Sequence, residues 1–232
     1  MKTLSKKNAW LIGLNYGLGY LVIYPVLISW LAAFLYNITG HNYYDLIVKL
    51  FYATFFAVSL YLGRELFASA WNDFKMNWMK ILKISSKNYL LSLLVSMVVS
   101  ATILFMTNQT SSLNQSTLET QLKSTTVMIV LLSTVFAPLM EELFFRGLIY
   151  NKLASRFNFL TGAMISAILF GIMHVLPSIT SGNFSDIPFA LQYIVIGFFI
   201  ARSYHQADSF AAPITFHFIQ NTIATILLLL MG

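Results

Sequence analysis

The sequence predicts an all-α fold, a polytopic membrane bundle of about seven transmembrane helices. Three observations predict it. Hydrophobic residues make up 58% of the chain. Its 232 residues carry 14 basic and 8 acidic side chains, 22 in all, where a soluble domain of that length would carry roughly 58. So few charges cannot cover a water-facing surface, and so much hydrophobicity excludes a disordered chain. Third, the apolar residues fall into stretches close to the ~20 residues a helix needs to cross a bilayer.

Seven such stretches run in order: Trp10–Tyr36, Leu46–Leu62, Tyr89–Met106, Thr125–Tyr150, Leu160–Leu176, Ile187–Ser203 and Phe210–Met231. The first follows Lys2, Lys6 and Lys7, which resembles the start of a signal peptide. Its apolar run is far longer than the about 7–15 residues of a signal core, so an uncleaved membrane helix is expected. With the N-terminus cytoplasmic and all seven segments crossing, 12 basic residues fall on the inner side, and Lys49 and Lys123 are the 2 on the outer. That asymmetry obeys the positive-inside rule. It predicts an integral protein of a bacterial cell membrane, with the N-terminus cytoplasmic and the C-terminus outside. It also assigns the net charge of +6 to membrane lipids as partners, not nucleic acid.

Residues 1–106 thus form an N-terminal part of three transmembrane helices. Between the second and third, Trp71, Phe74, Trp78, Ile81 and Leu82 recur at helical spacing among Lys75, Lys80, Lys83 and Lys87. Residues 67–86 are expected to lie as an amphipathic helix on the anionic leaflet, or else to form a basic loop that only sets topology. Residues 107–124 are rich in Ser, Thr, Asn and Gln and predict a polar linker. Residues 125–232 form the C-terminal part. No internal repeat relates the two parts, which weighs against an inverted-repeat transporter.

Ionisable groups within a bilayer are costly and mark function. They gather in three places, all in the C-terminal part. Glu141 and Glu142 follow Pro138 and precede Arg146. Glu142 and Arg146, four apart, share a helix face and can pair. Glu141 has no partner at that spacing and is left as a carboxylate that burial makes a stronger base. Phe170 lies one turn before His174, and Gly171 between them permits close approach of another helix. His217 and Asn221, again four apart, present two hydrogen-bond donors toward one point, as an oxyanion hole requires. Each motif alone also suits a structural ion pair, a packing histidine or interhelical polar contacts. Together they place a free carboxylate, two histidines and an amide on three helices. The chain has no cysteine, and neither His-Glu-x-x-His nor Gly-x-Ser-x-Gly occurs. His41 and His205 fall in predicted loops and receive no role.

The three motifs, Glu141-Glu142-x-x-x-Arg146, Phe170-x-x-x-His174 and His217-x-x-x-Asn221, resemble the CPBP family. This is the CAAX protease and bacteriocin-processing group, also called Abi. The resemblance covers Thr125 to Met231. It implies an intramembrane endopeptidase acting on a membrane-associated, lipidated or secreted peptide, with bacteriocin processing or self-immunity among the implied roles. Carried over, Glu141 and His174 would activate a water, His217 and Asn221 would stabilise the oxyanion, and Glu142, Arg146 and Phe170 would support the site. The family has also been described as metal-dependent. Zinc held by two histidines and a glutamate and a metalloprotease mechanism therefore stay open beside the metal-free scheme, which the His217/Asn221 donor pair favours. A non-catalytic immunity or binding protein on the same scaffold is the alternative function, and a transporter the third.

Overall fold

The computed structural model describes residues 2–124 and 126–231, and the side chains of 2–122 and 127–230. Among the described residues it is built of helices, with no strand. Helix α1 spans Lys6–Thr39. It starts where Ser5 accepts from the Asn8 N–H at 3.2 Å and stops at Gly40, whose φ of 71° only a glycine adopts without strain. Helix α2 spans Tyr44–Thr107. Helix α3 (Leu113–Ser124) is short. Four more follow: α4 (Val127–Arg156), α5 (Phe159–Thr180), α6 (Phe184–Ala207) and α7 (Ala211–Met231).

Among the described residues six helices are long and apolar enough to cross a membrane, and α2 accounts for the difference from seven. Its 64 residues would extend about 96 Å at 1.5 Å per residue, three times the ~30 Å hydrocarbon thickness. The helix breaks at Asn77, whose φ of −135° and ψ of 27° are not helical. Asp73 before the break accepts from Ser209 at 2.8 Å, and Ser85 beyond it donates to the Ala212 carbonyl at 2.9 Å. Both arms therefore reach the same turn, and the chain doubles back at Asn77. Arms 44–76 and 78–107 are each long enough to cross, so seven membrane-length arms result. The expected amphipathic segment 67–86 is not a separate helix. Its residues end one arm and begin the next, because packing of Phe67 on Phe210 and burial of Ile81 draw both into the bundle. Trp71, Met76, Trp78 and Met79 stay exposed at the bend beside Lys75 and Lys80.

The connections sort to two ends. Lys152 sits 5.6 Å from the Trp10 ring, and the Tyr150 hydroxyl lies 3.4 Å from His205 Nδ1. The start of α1, the Asn77 bend, the α4–α5 turn and the α6–α7 turn thus share one end. At the other, Gln109 donates to Ser185 at 3.1 Å, and the Leu113 N–H donates to Asp186 at 3.0 Å. The polar linker is accordingly not irregular. Asp186 anchors the start of α3, and the linker is helical from there.

The bundle packs as membrane helices do, with small residues between helices and large ones facing out. Phe105, Met97 and Val98 are exposed, whereas Ser85, Ser166 and Ser203 are fully buried. A Cβ on Gly171 would lie 2.5 Å from Ile194 Cγ1 and 2.7 Å from the Ala190 carbonyl. The glycine is what lets α5 and α6 touch, as the sequence predicts.

Candidate active site

The site begins with an irregularity in α4. Two π turns, Leu132–Phe136 and Leu143–Tyr150, flank a short α stretch, Ala137–Glu142. Such turns recur at functional sites. In the first, the Ala137 N–H bonds back to the Leu132 carbonyl, five residues earlier. The next bond in that register would run from residue 138 to the Ser133 carbonyl. Residue 138 is proline and has no N–H to give. Asn221 of α7 takes that place, its Nδ2 donating to the Ser133 carbonyl at 2.8 Å. The proline thus leaves the Ser133 carbonyl free to couple α4 to α7 and hold the amide of Asn221.

The two glutamates point into different surroundings. Glu142 is fully buried. Its Oε1 accepts from Arg146 Nη1 at 3.1 Å and from His217 Nδ1 at 2.7 Å. The fully buried Arg146 also donates through Nη2 to the Gly197 carbonyl at 2.8 Å, and its guanidinium lies 4.8 Å from the Phe170 ring centre. The expected Glu142–Arg146 pair is present. The bond from His217 to Glu142 is an addition that spacing along one helix could not reveal.

Glu141 is left open to the cavity. Its Oε2 stands 4.0 Å from His174 Nε2 and 3.9 Å from His217 Nε2, with no hydrogen-bond partner. The ring nitrogens can be assigned by elimination. His174 Nδ1 lies 2.8 Å from the Phe170 carbonyl, which only accepts. His217 Nδ1 faces a carboxylate oxygen, which in its ionised form also only accepts. Both Nδ1 atoms therefore carry the proton, and both Nε2 atoms of the neutral rings are acceptors turned toward Glu141. His174 is further held by Phe170, whose ring centre is 4.4 Å away, and by Tyr193, stacked at 4.3 Å and 21°.

His174 lies near the end of α5 and His217 near the start of α7, yet both reach Glu141. On α6, Phe170 packs against Gly197 while Phe216 packs with Ile200. These two contacts, three residues apart on α6, set how far α5 and α7 slide past each other, and the histidine side chains span what remains. Glu141, Phe170, His174, His217 and Asn221 all line one cavity of about 580 Å³, a typical ligand-pocket size. Glu142 and Arg146 lie behind its wall. Sequence reasoning missed Tyr193, Ser133 and Gly197. Only Ser133 left a trace, as the residue five before a proline.

Three acceptor atoms converge, which is also how metal ligands are arranged. The separations of 3.9 and 4.0 Å exceed the about 3.4 Å between ligands in a tetrahedral centre with 2.0–2.1 Å bonds. Among the described residues no three His, Asp or Glu side chains are spaced to hold a metal ion. As they stand the three atoms are spaced more widely than zinc ligands; Glu141, His174 and His217 are the residues that would hold such an ion, which would supply Lewis-acid polarisation of a carbonyl. A polar gap of this width is one that a single water hydrogen-bonded to both sides spans. His205 stacks on Phe159 at 4.4 Å at the opposite end and takes no part in the site.

Comparison with known proteins bears on the same stretch of chain. Residues 123–223 match the family model of the type II CAAX prenyl endopeptidase Rce1-like proteins. A Bacillus subtilis (strain 168) protein named "Putative membrane peptidase YdiL" is 29% identical over 100 residues, 43% of this chain and 37% of the relative. The matched part therefore spans little more than a third of that relative's length. No solved structure matches this chain.

Proposed function

We propose, from the match of residues 123–223 to the Rce1-like endopeptidase family model, the likeness to a putative membrane peptidase and the three motifs that resemble the CPBP family, that this chain is an intramembrane endopeptidase. Its substrate would be a membrane-associated, lipidated or secreted peptide. The observation that carries the reading is the unpartnered Glu141 Oε2 at 3.9–4.0 Å from two imidazole Nε2 atoms. A buried acceptor without a donor calls for an explanation, and a water giving its protons to Glu141 and His174 supplies one.

In this scheme the water oxygen bonds to the scissile carbonyl carbon as Glu141 takes its proton. The carbonyl π electrons move to oxygen. The resulting oxyanion accepts from the Asn221 amide N–H that Ser133 leaves free and from His217, whose Nε2 takes up a proton from solvent before attack and returns it to solvent after collapse. Glu142 supports that imidazolium through Nδ1–H, as the carboxylate of a catalytic triad does. Collapse of the intermediate breaks the C–N bond, and the proton held by Glu141 passes to the leaving nitrogen. His174, fixed by Phe170 and Tyr193, orients the water. Every step uses groups of this chain.

We place the N-terminus in the cytoplasm and the C-terminus outside a bacterial cell membrane. The bundle end that gathers the Asn77 bend and the α4–α5 turn also gathers Lys75, Lys80, Lys152 and Arg156, which supports that orientation.

The test is reconstitution in liposomes with candidate peptides, comparing wild type with Glu141→Ala, each with and without a chelator. Wild type should cleave in both conditions. Glu141→Ala should lose about 10²–10⁴-fold in rate while still inserting. Undiminished cleavage by Glu141→Ala would end the proposal, and loss of wild-type activity to chelator would reassign Glu141, His174 and His217 as metal ligands.

A further inference from the structure

The cavity extends well beyond Glu141, along a groove between the second arm of α2 and α7. Tyr89, Ser92, Leu93 and Ser96 line it from one side. Their spacing of three and four puts them on one helix face. Gln220, Ala224 and Leu227 line it from the other, on the face that continues from His217. From His217 to Leu227 is ten residues, about 15 Å of helix, which matches four to five residues of extended chain at ~3.3 Å each.

Two polar atoms in that groove lack partners. Ser96 is 8% exposed, and its Oγ has no hydrogen bond. Some helix hydroxyls return to the carbonyl four residues back, as Thr54 and Thr102 do at 2.8 and 2.9 Å, and others reach another helix, as Ser85 does to the Ala212 carbonyl at 2.9 Å. Ser96 does neither. The Gln220 Oε1 is likewise buried and unpaired. Gln220 adjoins Asn221 and lies one turn beyond His217, so this acceptor sits beside the reacting centre. An acyl or prenyl chain laid along the groove would leave both atoms unsatisfied. A peptide main chain offers a donor and an acceptor at every residue and satisfies both.

We infer that Ser96 and Gln220 form a substrate subsite that binds the main chain of an extended, unlipidated peptide segment of four to five residues, with its apolar side chains against Leu93 and Leu227. The inference rests on the peptidase reading for its ligand class, and it narrows that class.

Binding can be measured apart from cleavage. The probe is a fluorescent, unlipidated neutral hexapeptide, with its farnesylated counterpart beside it, titrated by anisotropy into the Glu141→Gln protein in nanodiscs. The unlipidated peptide should bind. Gln220→Met and Ser96→Ala should each weaken it several-fold, and together about tenfold, while Gln220→Asn retains part of the affinity. Helical content and peptide-free thermal unfolding report whether each variant is folded. Affinity unchanged in the folded double variant would overturn the inference. So would a farnesyl-dependent gain in affinity that survives both substitutions, since the groove would then hold lipid. If the wild type cleaves no peptide but binding still depends on Gln220, the hydrolase reading fails and the subsite stands. If the wild type cleaves while binding ignores both residues, the subsite alone fails.

Discussion

The helices before residue 107 and those after residue 126 are all apolar enough to cross a membrane, but they bury different things. In the first region the buried polar side chains are uncharged: Ser59, Ser85, Asn88, Ser92 and Ser96. In the second they include Glu142, Arg146, Asp186 and His217. Removing charge from water costs several kcal/mol per ion even after relaxation, so the second region accepts a burden the first avoids. The family match follows that division, covering 123–223 and stopping there. The lesson is that buried charge and the walls of the cavity are separable. The matched region holds the buried ionisable groups of the candidate site, whereas Ser92 and Ser96 of the unmatched region wall the same cavity.

Three substitutions test how sharp that division is. The largest effect is expected at Arg146. Arg146→Met removes the only cation bonded to Glu142 and should cost about 3–5 kcal/mol of stability, read as a fall in thermal unfolding temperature in detergent. An unchanged midpoint would mean that Glu142 does not depend on the pair. Next is Asn221→Ala, which deletes the amide held by Ser133. It should lower kcat by about 10²–10³ with little change in KM; a change confined to KM would make Asn221 a binding group instead. The smallest effect belongs to the first region. Phe105 is 89% exposed, and Phe105→Leu should shift stability by no more than ~0.5 kcal/mol. A larger shift would show that this face is packed against something, and the contrast between the regions would weaken.

Much of the site was legible because its signals are local. Glu142 and Arg146 pair across one helical turn, Phe170 and His174 share a face, and Gly171 marks a close approach, all consequences of a 3.6-residue period. The Asn77 bend was not legible. Residues 67–86 have an amphipathic pattern that suits a surface helix as well as two arms meeting at a tip, and only packing on the α6–α7 turn decides between them. The linker was half legible: its polarity was plain, but its helix depends on Asp186, more than 70 residues away in sequence.

By itself the sequence determined the all-α membrane class and which ionisable residues share a helix face, since hydropathy and helical spacing act over one or two turns. Only the tertiary structure decided that His217 bonds to Glu142, that Tyr193 stacks on His174, and that Ser133 holds Asn221. Those contacts join different helices, and their distances depend on how far one helix slides past the next. The slide of α5 and α7 along α6 that brings His174 and His217 to Glu141 is set by packing of Phe170 on Gly197 and of Phe216 with Ile200, a property no single helix carries.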